Sequence, residues 1–138
     1  MIRIGVVGYS GGKFDETIGK ALVRIGLDLF EKMHEGEEFS VVSGLTDMGI
    51  PAIAYRVADE KGWKTVGIAC SKADDNPCYD VDERVIEGDD WGDESETFLN
   101  SIDVLLRVGG GKQSLDETER AKGKGLDVFE FDLPEIVD

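Results

Sequence analysis

The sequence predicts an α/β domain: a mainly parallel sheet of five or six strands with helices on both faces. Short apolar runs alternate with segments of helical periodicity, and the connections between them are short. Such alternation implies a mainly parallel sheet covered on both faces. Three of the apolar runs end in glycine loops that lead into a helix, so ligands are expected at the carboxyl edge of the sheet.

The first strand is Ile2 to Val7, turning at Gly8-Tyr9-Ser10-Gly11-Gly12, after which helical periodicity runs through Ile18, Leu22, Ile25, Leu29 and Met33. Phe39 to Ser43 repeats the unit as a second strand. Gly44 to Gly49 is its loop, and Pro51 sits early in a helix carrying Ile53, Ala54, Val57 and Ala58. Lys64 to Cys70 is a third strand. The polar stretch Ser71 to Asp82, with Pro77, reads as a loop placed to cover a site as a lid. Arg84 to Glu87 is a short strand, 93–102 a helix, Asp103 to Val108 a strand, Ser114 to Lys124 a helix and Asp127 to Phe131 the last strand. The expected organisation is one domain, 1–134, followed by an acidic tail, 135–138.

With 15 basic and 30 acidic side chains the formal net charge is -15, which argues against nucleic acid and anionic membranes as partners. A small phosphorylated ligand remains compatible, because backbone N–H groups act within a few ångströms. Residues 2–8 form neither a secretory core nor a membrane span, so a cytoplasmic location and reduced thiols at Cys70 and Cys78 are expected. A single histidine, His34, rules out a two-histidine zinc site. The acidic cluster Asp89, Asp90, Asp93 and Glu94 reads as a solvated loop, and no metal site is expected.

The most telling stretch is Val104 to Glu117, in which an apolar strand ends in Gly109-Gly110-Gly111 and leads through Lys112 and Gln113 into Ser114-x-x-Glu117. Glycine permits close backbone approach, and the N–H groups of the following helix start attract anions. Ser114 and Glu117 have the spacing of a capping box. Arg107 interrupts the strand near its carboxyl end, and its type suits either a phosphate or an acidic neighbour. Lys13 and Lys112 each follow a glycine pair, where loop lysines are usually solvated. Tyr9 and Ser10 are placed to stack on a base or bond a phosphate.

Three segments in order carry a family resemblance. Gly8-Tyr9-Ser10-Gly11, Val41 to Gly49, and Gly109 to Glu117 are similar to the Gly-Ser-Ser turn, the second glycine loop and the Pro-Gly-Gly-x-Gly-Thr-x-x-Glu motif of the LOG-like, or SLOG, superfamily. That group includes the LOG-type nucleotide phosphoribohydrolases (lysine-decarboxylase-like proteins), the molybdenum cofactor carrier proteins and the Rossmann domain of DNA-processing protein A. Gly110 and Gly111 fall on the paired glycines, Ser114 on the threonine and Glu117 on the final glutamate; Lys112 takes a variable position, and Gln113 stands where a third glycine is usual.

The resemblance implies a Rossmann-like fold, a homodimer, and a pocket formed by Gly8, Tyr9, Ser10, Gly11, Gly44, Leu45, Thr46, Gly49, Gly109, Gly110, Gly111, Lys112, Gln113 and Ser114. It implies binding of a nucleotide or phosphoribosyl-containing small molecule, as carrier or sensor, with no cofactor required. The alternative is a nucleoside 5'-monophosphate phosphoribohydrolase with Glu117 as the catalytic carboxylate. Counting back from Asp103 puts Glu94 and Ser95 on the phosphoribohydrolases' Arg-Lys pair. The expected catalytic arginine is absent, which favours binding over turnover, and Arg84 and Arg107 are the candidates to replace it. A NAD-dependent oxidoreductase is disfavoured, because the first turn lacks Gly-x-Gly-x-x-Gly spacing.

Overall fold

The computed structural model describes residues 1–137; Asp138, the end of the acidic tail, lies outside the described residues. In chain order the elements are β1 (Ile2–Gly8), α1 (Glu16–Met33), β2 (Phe39–Ser43), α2 (Gly49–Glu60), β3 (Lys64–Ala69), β4 (Glu83–Ile86), α3 (Ser95–Asn100), β5 (Val104–Val108), α4 (Lys112–Gly123) and β6 (Asp127–Phe131). The six strands form one sheet in the order β4-β3-β2-β1-β5-β6, with every neighbouring pair parallel. The chain moves outward from β1 to β4, then returns to the other side of β1 to lay down β5 and β6. The loops after β1 and β5 therefore diverge to opposite faces and leave a crevice at the carboxyl edge.

Strand periodicity sets the two layers. Ile4 and Val6 of β1 face the layer of α1 and α2, where they meet Val23, Leu27, Phe30 and Ile53. Val7 faces the other layer with Val42, Leu105, Phe98 and Leu99, under α3 and α4. The central strands are buried along nearly their whole length, which is why they read as mainly apolar runs.

In α1 the apolar stripe that marks the helix in the sequence is largely not the one that packs. Gly19, Val23, Gly26, Leu27 and Phe30 are buried, whereas Ile18, Ile25, Leu29 and Met33 are 40–53% exposed. The helix carries two apolar faces, and the one bearing glycines comes closest to the sheet: a Cβ at Gly26 would press on the Leu106 side chain. Asp15 starts the helix, its carboxylate accepting from the Ile18 N–H at 3.1 Å.

Two other expectations need correcting. The segment 71–82 is not a lid: it forms a short 3-10 helix, Ser71–Asp75, and is tied to the second glycine turn by Tyr79 N–H to Leu45 C=O at 2.8 Å and Asp47 N–H to Pro77 C=O at 2.8 Å. And α4 begins at Lys112, two residues before Ser114, so Ser114 and Glu117 lie inside the helix and form no capping box. Beyond β6 the chain runs back over the first turn, where Tyr9 Oη donates to the Leu133 carbonyl at 2.9 Å and Ile136 N–H to the Lys13 carbonyl at 2.8 Å.

Candidate functional site

The turns after β1, β2 and β5 open on one cleft of about 340 Å³. The first contributes Gly8, Tyr9, Ser10 and Gly11; the second Gly44, Leu45 and Thr46; the third Gly111, followed by Lys112, Gln113, Ser114 and Glu117 of α4. Pro51, Ile68, Ala69 and Phe98 add an apolar wall. The volume lies at the small end of the range for ligand pockets, suited to one mononucleotide or sugar phosphate.

Gly49, Gly109 and Gly110 are not among the lining residues. They are glycines because their backbones demand it: all three have positive φ, and a Cβ at Gly109 would lie 3.0 Å from Leu133 while one at Gly110 would lie 2.6 Å from the Ser114 side chain. Gly11, Gly44 and Gly111 differ, since nothing lies within 4 Å of where their side chains would begin. These three leave backbone open at the cleft. The second turn is fixed from behind by Tyr55, whose hydroxyl lies 2.8 Å from the Gly44 carbonyl and 2.9 Å from the Val66 carbonyl.

No side chain caps α4, whose N-cap is Gly111. Ser114, which the sequence assigns to a cap, points its hydroxyl at the Gly8 carbonyl 3.4 Å away. The N–H groups of the first turn are thus left to whatever occupies the cleft. Gln113 has helical backbone, and among the described residues none other than glycine has positive φ, so a glutamine where the resembled motif has a glycine carries no strain. Its side-chain amide donates to Glu94 at 2.9 Å.

Glu117 is the chemically distinctive group. It is 6% exposed, and its carboxylate accepts from the Ser95 hydroxyl at 2.9 Å. Burial pushes its pKa up to about 7; the neighbouring Glu94 charge adds to the rise, and bonds from Ser95 and Gln113 and the charge of Arg120 oppose it. Glu94 is 5% exposed and also lines the cleft, held by Gln113 and by the Gly92 N–H at 3.2 Å. The solvated reading holds for Asp89 and Asp90, but Glu94 turns inward. Trp91, half exposed, stands at the same wall.

Composition hid Glu94 and Trp91 among loop residues. The one sequence signal that singled out Glu94 and Ser95 was the count that set them where the phosphoribohydrolases carry an Arg-Lys pair. Neither candidate arginine replaces that pair in the cleft. Arg107 is a buried clamp, its guanidinium donating to Glu130 at 3.1 Å, to Asp132 at 2.8 Å and to the Gly109 carbonyl at 3.0 Å. It lines a separate hollow beside Leu133. Arg84, on the edge strand β4, pairs with Asp74. Among the described residues no group of side chains has the makings of a metal site, and no helix is long and apolar enough to cross a membrane.

No protein-family model and no curated protein sequence matches the chain. Solved structures do. A protein designated TM1055 superposes with a TM-score of 0.72 at 23% identity, over 93% of this chain and 72% of that one. The molybdenum cofactor carrier protein of Chlamydomonas reinhardtii gives 0.65 at 23% identity, over 94% and 75%. The molybdenum cofactor binding protein of the phototrophic bacterium Rippkaea orientalis gives 0.72 at 24% identity, over 94% and 75%. The chain therefore has a Rossmann-like fold that it shares with molybdenum cofactor carriers, one of the branches its three motifs resemble.

Proposed function

We propose that this protein binds a nucleotide or phosphoribosyl-containing small molecule in the cleft, as a carrier or sensor. The observation that carries the reading is the convergence of three glycine turns, with open backbone at Gly11, Gly44 and Gly111, on the uncapped start of α4. A phosphate there meets N–H groups and the positive end of the helix, with Lys112 at the rim. Carriage is favoured over turnover because the cleft lining contains no arginine, and because structures sharing the fold carry or bind a small-molecule cofactor.

Calorimetric titration with ribose 5-phosphate and adenosine 5'-monophosphate is the test, with saturable one-site binding expected. Gly111→Glu is the matched variant. Gly111 has extended, negative-φ backbone and open space above it, so a glutamate folds normally there but sets a carboxylate in the phosphate position. Binding should weaken at least tenfold with an unchanged melting temperature; equal affinity would remove the phosphate from this place.

One observation favours a second reading as an N-glycosidase. A buried carboxyl with a pKa near 7 is suited to general acid or base work at neutral pH. Release of free adenine from adenosine 5'-monophosphate, abolished in Glu117→Gln, would establish that activity in place of carriage.

A further inference from the structure

The cleft is lined by two unlike sets of groups. The glycine turns and the start of α4 present N–H donors, whereas the wall formed by Glu94 and Glu117 presents only acceptors, with Trp91 and Phe98 beside it. Resting on the phosphate-binding reading above, we propose that this wall selects the ligand's base: it takes a nucleobase whose edge carries adjacent N–H donors, a ring amide N–H next to an exocyclic amino group, as guanine has and adenine lacks.

The argument is one of satisfiability. Two carboxylates offer four oxygens, each able to accept about two hydrogen bonds. Among the described residues the donors to them are the Ser95 hydroxyl, the Gln113 amide and the Gly92 N–H. No described ion pair reaches either carboxylate: Arg120 of α4, whose charge acts on Glu117, is engaged by Glu96 at 2.7 Å and Asp116 at 3.7 Å. Two carboxylates more than nine-tenths buried and without an ion-pair partner keep spare acceptor capacity, which donors on a molecule in the cleft can fill. A guanine edge supplies two parallel N–H donors in the geometry a carboxylate accepts. Adenine sets an unprotonated ring nitrogen against the same oxygens, a lone pair facing a lone pair. Trp91, with half its surface free, offers the flat face of the base a stacking partner.

An ammonium would also satisfy two carboxylates. The aromatic and apolar neighbours favour a flat ring, since Phe98, Ile68 and Leu45 line the same cleft and give a strongly hydrated cation nothing in exchange for its water. The groups facing Glu117 are Glu94 ahead of α3, Ser95 of α3, and Gln113 and Arg120 of α4. The comparison therefore belongs at pH 8, where Glu117 is an acceptor.

Guanosine, inosine and adenosine 5'-monophosphates are titrated into the full chain by calorimetry at pH 8, with ribose 5-phosphate as the base-free reference. The guanosine compound is expected to bind about ten- to a hundredfold tighter than the adenosine compound, with inosine, which keeps the ring N–H and lacks the amino group, between them. In Glu94→Gln and Glu117→Gln the guanosine preference should shrink at least fivefold while each variant keeps the wild-type circular dichroism spectrum and a cooperative thermal transition, which shows that it is still folded. Equal affinities for the three bases, or a preference untouched by both variants, overturns the base-reading wall and leaves phosphate binding standing. Absence of binding for ribose 5-phosphate and all three nucleotides overturns the phosphate reading and this inference with it.

Discussion

Gly49→Ala is expected to destabilise the protein by about 2–4 kcal/mol, enough to lower its melting temperature by roughly 10 °C. Gly49 opens α2 with φ near +61, a conformation that costs a side-chain-bearing residue about 1 kcal/mol or more. The new methyl would lie 2.9 Å from the Tyr9 carbonyl carbon, closer still to its oxygen, and 3.1 Å from the Ser10 Cα. All three are backbone atoms, so relief requires moving the first turn itself. That turn is pinned by the Ile50 N–H, which donates to the same Tyr9 carbonyl at 2.7 Å, and Ile50 is fully buried beneath Gly8. The substitution thus pries apart the first two turns of the cleft. Gly44→Ala is the control: the position has open space and a backbone outside the positive-φ region, and should stay within about 1 kcal/mol of wild type. Thermal unfolding of the pair decides it, and equal melting temperatures would mean that the contact between the turns carries no stability.

The strands were legible because burial on both faces imposes mainly apolar runs, which β1, β2 and β5 have. Short glycine turns after them announced the carboxyl-edge site. Misreadings arose where pattern underdetermines partner. The periodicity of α1 identifies a helix but not which of its two apolar faces meets the sheet; small Gly19 and Gly26 decide that, and a hydrophobic count passes over them. Ser114 and Glu117 have capping-box spacing, yet a start two residues earlier at Lys112 carries both past the helix boundary and frees them for Gly8 and Ser95. Glycines that leave open backbone at the cleft and glycines that packing demands look alike in sequence. Backbone φ and the space around them separate Gly11, Gly44 and Gly111 from Gly49, Gly109 and Gly110. The inward turn of Glu94 depends on a tertiary partner, Gln113, that lies 19 residues away.

Glu117→Gln is expected to make the protein more stable at pH 8, by about 1–3 kcal/mol, and to change it much less at pH 5. In the folded chain burial pushes the Glu117 pKa up from 4.5 to about 7. A carboxyl whose folded value is raised binds its proton more tightly in the native state than in the unfolded chain. Its contribution is therefore fully present below about pH 4.5 and is lost as the pH rises through 7. At pH 8 the native state must hold an ionised carboxylate that is 6% exposed, beside the equally buried Glu94. Glutamine removes that charge while its carbonyl still accepts from Ser95 and its amide gains Glu94 as an acceptor. Every other titrating group is common to both proteins, so the variant-minus-wild-type difference reports Glu117 together with its coupling to Glu94 and Arg120. Urea unfolding at pH 5 and pH 8 should show that difference growing by about 2 kcal/mol toward alkaline pH. A difference of the same size at both would mean that Glu117 titrates in the fold as it does in the unfolded chain. A stability gain at neutral pH would make the native glutamate a cost that the fold carries for the sake of the cleft, since a better-packed neutral residue of the same shape was available.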